Sequence, residues 1–174
     1  MAKRALITGV GHYLPKRIVS NKEFEKTLNT SDDWIVTRSG IKQRHFSNKD
    51  ETTSKMAIFA GQQAIENAKL KISDLDAIIL ATSTADMTFP SAATMVQAGL
   101  GMKHGFAYDI QAVCAGFIYA LSTANAQIIS GQANKILVIG SETFSNLMDW
   151  NDRSTCVLFG DGAGAVVLEA HNAN

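Results

Sequence analysis

Cysteine is scarce: two in 174 residues, Cys114 and Cys156, too few for a disulfide framework and, without ligand-spaced partners, too few for zinc. The four histidines, His12, His45, His104 and His171, show no metal-ligand spacing with each other or with the cysteines, so no metal is expected. Two prolines and thirteen glycines fall far short of a Pro/Gly-rich low-complexity or collagen-like composition. No run of Lys or Arg exceeds two and aromatics are 7% of the chain, without interleaving at stacking intervals, which argues against nucleic acid. The longest aliphatic runs, 77–81 and 136–139, have strand length and lie far below the about 20 residues that span a bilayer. The basic start, Met-Ala-Lys-Arg, lacks the apolar stretch of a signal peptide. The expectation is a cytoplasmic protein with free thiols, no membrane segment and no nucleic-acid partner.

What is present is enough for one packed domain. Hydrophobic residues make up 46% of the chain and charged residues 18%, and a chain of this size buries roughly 70% of its unfolded surface. Sixteen basic and sixteen acidic side chains cancel, but unevenly: residues 1–55 hold eleven Lys or Arg against six Asp or Glu, and the remainder five against ten. The basic segment offers a field for phosphates or an acidic partner. Strand-like stretches at 5–10, 77–82, 106–110 and 135–141 alternate with helical ones at 52–68, 91–99 and 114–129, which predicts an α/β domain with a mostly parallel sheet. Residues 156–159 and 163–170 read as a hairpin. The charged stretch 16–51, with short helical patches at 21–28 and 31–39, is too long for a plain connection and reads as an insertion with its own task. The 114–129 segment is small or apolar on most sides, which predicts a central helix surrounded by protein.

Gly9-Val-Gly11 lacks the third glycine and the following helix of a dinucleotide fingerprint. Gly160-Asp-Gly-Ala-Gly164 leads into a strand-like segment, so it reads as a tight turn or close backbone packing instead of a phosphate loop. Cys114 follows a strand by a short turn and opens a helix, with Ala115 and Gly116 leaving its sulfur approachable. A helix start favours an anion by about 0.3–1 kcal/mol, and the thiolate is the reactive form. Spacing alone leaves nucleophile and buried structural thiol both open. Cys156, in Cys-Val-Leu-Phe, reads as strand core. Trp34 and Arg38 lie four apart, on one side of a helical turn, where they suit an aromatic ring and a phosphate, or else form a partly buried Trp with a surface Arg. Arg153 is a further cation whose role nothing local decides.

Together, Asn29-Thr-Ser-Asp-Asp-Trp-Ile-Val-Thr-Arg-Ser-Gly-Ile41, the stretch 81–93 with Phe-Pro-Ser-Ala-Ala, Asp109-Ile-Gln-Ala-Val-Cys-Ala-Gly-Phe117 and Phe159-Gly-Asp-Gly-Ala-Gly-Ala165 resemble 3-oxoacyl-[acyl-carrier-protein] synthase III of the thiolase superfamily. The likeness covers nearly the whole chain but only the N-terminal half of such an enzyme. It implies an α/β thiolase-like N-terminal domain over 1–174, a five-stranded mixed, mostly parallel sheet with helices on both faces, with 16–51 as a CoA-binding insertion and the C-terminal domain absent. It implies decarboxylative condensation of an acyl-CoA, commonly acetyl-CoA, with malonyl-acyl carrier protein, which initiates fatty-acid synthesis through an acyl-cysteine at Cys114. No permanently bound cofactor is implied, and the partners are the two substrates and a second copy in a homodimer. By the same resemblance Trp34 and Arg153 would sandwich adenine, Arg38 would meet phosphates and Thr30 the nucleotide end. Phe89 would reach into the partner's acyl pocket, and Phe144 and Phe159 would line the chain's own; Phe144 stands where many relatives carry an aliphatic residue. The histidine and asparagine used for decarboxylation match nothing in these 174 residues, so the chain alone is expected not to condense. A sister acyltransferase of secondary metabolism and a non-catalytic CoA-binding dimerisation module are the alternatives.

Overall fold

The computed structural model describes residues 3–172. The chain opens with strand β1 (Lys3–Tyr13), followed by β2 (Arg17–Ser20), helices α1 (Asn21–Phe24) and α2 (Asp32–Ser39), and β3 (Gln43–Phe46). Helix α3 (Thr53–Asn67), β4 (Ala77–Ala81), α4 (Ala92–Leu100), β5 (Phe106–Ile110), α5 (Gly116–Ser130), β6 (Lys135–Thr143) and β7 (Asp161–Asn172) complete it. The main sheet has the order β1-β7-β6-β4-β5. Strands β5, β4 and β6 are parallel, and β7 runs antiparallel to both β6 and β1, so four strands point one way and one opposes them. The mixed, mostly parallel sheet expected from the resemblance is what forms.

Alternation along the central strands sorts their side chains to two cores. Ile78, Leu80, Leu137 and Ile139 face α3 and α4, whereas Ala77, Ile79, Ile136 and Val138 face α5. Helix α3 starts where Thr52 accepts a hydrogen bond from the Lys55 N–H, and α4 where Ser91 accepts one from Thr94. Small residues let α3 lie directly on β1: a Cβ at Gly11 would overlap the Ala60 carbonyl, and one at Gly9 the Ala64 carbonyl. Close approach, and not phosphate binding, accounts for this glycine pair.

The segment 16–51 folds as its own layer, with β2 and β3 paired antiparallel and a third core of Val19, Phe24, Ile35, Phe46, Cys156 and Val157 beneath it. Its hub is Arg44, only 6% exposed. That guanidinium donates to Asn21 Oδ1 at 2.7 Å and to the Val157 carbonyl at 2.7 Å, and it stacks on Phe24 at 4.7 Å. Burial pulls its pKa below the usual arginine value. Asp161 fastens the other end, accepting from the backbone and hydroxyl of both Ser47 and Ser145.

Two expectations need correction. Residues 156–159 form no strand: Asp152 nucleates successive turns by accepting from the N–H groups of Ser154, Thr155 and Cys156, and β7 pairs with β1 and β6 instead. Cys156 is core, fully buried, but in a turn. Among the described residues, helix α5 is covered on one face. Gly116, Ala120, Ala124 and Ile128 are buried against the sheet, while Ile118 is 62% exposed and Tyr119 and Ile129 are more than half exposed. Beside it the sheet carries an open apolar trough of about 470 Å³ bounded by Val10, Phe117, Gly140, Gly164 and Val166. The segment Val113–Ser130 has a mean hydropathy of 1.3 and is long and apolar enough to cross a membrane by composition alone, yet one side of it packs on the strands.

Glu51 gives a pH test of how the insertion is anchored. Its carboxylate, 6% exposed, accepts from Tyr13 Oη at 2.8 Å and from the Lys16 and Asn48 N–H groups at 3.1 Å each. Burial alone would raise its pKa; these hydrogen bonds and the Lys16 charge outweigh it and hold the carboxyl below the usual range. A lowered folded pKa means stabilisation that is present above the unfolded value and lost as pH falls through the folded one. Glu51→Gln is expected to lower stability at neutral pH by about 1–3 kcal/mol and to flatten the acid limb of the melting temperature against pH. Parallel acid limbs for wild type and variant would exclude this role.

Candidate active site

The sheet's parallel strands all end on one side, and the turns that leave β5 and β6 there carry the residues of interest. Between β5 and α5 the chain makes a single 3-10 turn, Val113–Ala115, and Cys114 at its centre is exposed. Val113 adopts φ +48°, a left-handed conformation that costs a β-branched residue about 1–3 kcal/mol. Ala115, which precedes α5, makes no side-chain cap, so the start of the helix keeps its partial positive charge beside the thiol. A strained turn that lifts a nucleophile onto a helix start is the arrangement used for covalent catalysis.

The insertion supplies a second cluster. Ser31 caps α2 by accepting from the Trp34 N–H at 3.1 Å, with Asp32 and Asp33 in the first turn and Arg38 in the last. The Arg38 guanidinium lies 4.5 Å from the centre of the Trp34 ring, and that of Arg153, arriving from the Asp152 turns, lies 4.7 Å from it. Arg153 also donates to the Asn29 carbonyl. Next to Asn29 in sequence is Thr30, its hydroxyl buried without a partner. Trp34, Arg38, Ser154, Val157 and Leu158 border a cleft of about 250 Å³. Thus Trp34, Arg38 and Arg153 are brought together, although nothing in the residues around Arg153 assigned it a role. They are also closed on one another: a ring inserted between an indole and a guanidinium needs about 7 Å, two van der Waals contacts, so Arg153 must withdraw to admit one.

Phe144 opens a 3-10 turn after β6, and Phe159 precedes β7; their rings meet at 4.6 Å. Phe89 is 81% exposed on the loop between β4 and α4. Among the described residues no group of three or more His, Cys, Asp or Glu side chains could hold a metal ion.

The model of the 3-oxoacyl-[acyl-carrier-protein (ACP)] synthase III family matches residues 108–174, which include the Cys114 turn, Phe144, Arg153 and Phe159. A curated relative, the β-ketoacyl-[acyl-carrier-protein] synthase III of Roseobacter denitrificans, is 67% identical across 99% of this chain. The chain belongs to the 3-oxoacyl-[acyl-carrier-protein] synthase III family. It spans about half the length of the curated relatives it matches, 53% in the case of Roseobacter denitrificans. Among solved structures of the family, the synthase III of Aquifex aeolicus is 51% identical with a TM-score of 0.95, covering 97% of this chain and 55% of that one. A priming β-ketosynthase from a polyketide biosynthetic pathway superposes equally well, with a TM-score of 0.95 at 35% identity over 99% of this chain and 52% of that one. The thiolase-like fold of the synthase III family is therefore that of this chain.

Sequence reasoning missed what holds these parts in place. Asp109 accepts from the N–H groups of Ala92 and Ala93, Glu142 from Thr82, Ser83 and Thr84, and Asp86 from Ser54. Two carboxylates from β5 and β6 and one from the loop itself thus pin the loop that bears Phe89. Asp109 and Glu142 are the next-to-last residues of β5 and β6, and an acid at a strand end is the signal the sequence offers for them.

Proposed function

We propose that this chain carries the acyl-accepting half of a β-ketoacyl-[acyl-carrier-protein] synthase III. The Cys114 thiolate attacks the thioester carbonyl of acetyl-CoA; the carbonyl carbon gains the cysteine sulfur and loses the CoA sulfur, which leaves as the thiolate and takes up a proton. In the complete enzyme malonyl-acyl carrier protein then loses carbon dioxide, and its carbanion takes the acyl group from Cys114, which initiates a fatty acid. The exposed cysteine on a strained turn at the start of α5, in a chain of this family, is the observation that carries the reading.

Other features support parts of it. Trp34, Arg38, Arg153 and Thr30 would form the CoA entrance, with adenine admitted as Arg153 swings away from the indole. The contact between Phe144 and Phe159 suits a pocket for a short acyl chain. The protruding Phe89 suits insertion into a second copy, which makes the homodimer part of the proposal. The uncovered faces of α5 and of the adjoining sheet suit packing against the other half of such an enzyme, which would supply the decarboxylating groups; without them the chain would accept an acyl group but not condense it.

The test is incubation with acetyl-CoA followed by intact mass and peptide mapping. One acetyl group at Cys114, saturating with acetyl-CoA, is expected; no adduct at any concentration would reject the reading and favour a CoA-binding module. Trp34→Ala is expected to raise the half-saturating acetyl-CoA concentration about tenfold, in the range of one lost base stack, at an unchanged limiting rate. An unchanged half-saturation would remove Trp34 from the entrance. The likeness to a polyketide-priming ketosynthase favours one rival, a synthase with a different primer. Faster transfer from a longer or branched acyl-CoA than from acetyl-CoA would select it.

A further inference from the structure

We infer that Asp109 is a positioning residue for the Cys114 turn. Among the described residues strand β5 closes the sheet order and pairs with β4. Beyond Ile110 the backbone enters conformations its residues do not prefer, Ala112 at φ −152°, ψ 30° and Val113 at φ +48°. Such a turn persists only when both of its ends are fixed by their surroundings.

The α5 end is fixed by Gly116, which packs so closely on β4 that a Cβ added to it would stand 3.3 Å from the Ala81 Cβ. The β5 end is fixed by Asp109. Its Oδ2 accepts from the Ala92 N–H at 2.9 Å and its Oδ1 from the Ala93 N–H at 2.7 Å. Both alanines are fully or almost fully buried, in the same core as Ile78 and Leu80, so the carboxylate grips a point that does not move. Helix α4 already has a cap in Ser91, which accepts from Thr94. The carboxylate takes the two N–H groups that this cap leaves over, and what it adds is a tie between α4 and the strand that leads to Cys114. Asp109 acts through five residues of backbone and not by touching substrate.

Two variants separate this from helix stability. In Asp109→Asn one acceptor becomes an NH₂ group facing a backbone N–H. The Ala115 and Gly116 amides, which close the turn by donating to the Ala112 and Val113 carbonyls, are then expected to exchange with deuterium about tenfold faster. Ser91→Ala weakens the same first turn of α4 but leaves the Asp109 carboxylate on Ala92 and Ala93, and it is expected to leave those two amides within about twofold of wild type while lowering global stability. Asp109→Ala, which removes both acceptors without setting a donor against either N–H, should also speed exchange of both amides, and it serves if the asparagine variant does not fold. Unchanged amides in the Asp109 variants, or equal acceleration in Ser91→Ala, would overturn the inference. Its consequence for catalysis rests on the proposed role of Cys114: the limiting rate of acetyl transfer from acetyl-CoA should fall in step with the loss of protection, at constant half-saturation. If the amides respond and wild type accepts no acetyl group, the role of Cys114 fails and that of Asp109 stands.

Discussion

Gly11→Val is expected to abolish the cooperative folded state. The Cβ it adds would overlap the Ala60 carbonyl and stand 2.5 Å from the Ala64 nitrogen and 3.0 Å from the Gln63 Cβ. Two of these three neighbours are helix backbone, which no rotamer change can move, so α3 as a whole must lift from β1. That helix buries Met56, Ala57, Ala60 and Ala64 completely against the sheet. Overpacking that side chains absorb costs about 1–3 kcal/mol. Displacement of a core helix belongs with the exceptional losses above about 4 kcal/mol, a large part of the about 5–15 kcal/mol that holds a domain together. Gly164→Ala is the matched control. Gly164 pairs with His12 and Gly140 in the same sheet, but its Cβ would meet nothing within 4 Å. It should unfold at the wild-type urea concentration or slightly above, since alanine costs less backbone entropy than glycine. A Gly11→Val midpoint equal to that of Gly164→Ala, followed by circular dichroism, would show that α3 does not rest on β1 as described.

The same glycines mark where sequence is informative and where it is not. Helix α3 was legible because its signals are local: a threonine cap and Met56, Ala60 and Ala64 on one face. The strands were legible as aliphatic runs, and the Cys114 turn as a strand, three connecting residues and a helix. The strain at Val113 was not, because nothing in a valine announces a positive φ; tertiary ties impose it. Arg44 reads as one more cation in a charged stretch, and only the fold shows it buried under Phe24 and bonded to Val157. The contact of Arg153 with Trp34 joins segments far apart in sequence, so it too awaits the fold, although the resemblance had paired them. For α5 the small, apolar composition predicts a helix surrounded by protein, whereas among the described residues the fold covers one face of it. The uncovered face shares its apolar character with the trough beside it, so both follow from a single unpartnered surface.

Cys114→Ala should remove acetyl transfer from acetyl-CoA entirely, while Cys156→Ala should leave it within about twofold, the range of a substitution outside the reacting groups. The asymmetry follows from the two environments. Cys114 is exposed at the start of α5, where the small neighbours Ala115 and Gly116 leave a path to the sulfur. Cys156 is fully buried under the insertion; burial first, and the nearby Asp152 charge second, push its thiol pKa up, so it is neither accessible nor ionised. Alanine at 114 removes only the sulfur, on an exposed turn, and should leave the melting temperature unchanged; alanine at 156 removes a packed core atom and should lower it by an amount typical of a small core truncation, about 1 kcal/mol. Activity and stability are thus expected to respond to opposite cysteines. An acetyl adduct that survives Cys114→Ala, or maps to Cys156, would place the acceptor elsewhere and sink the proposed mechanism, whatever the fold.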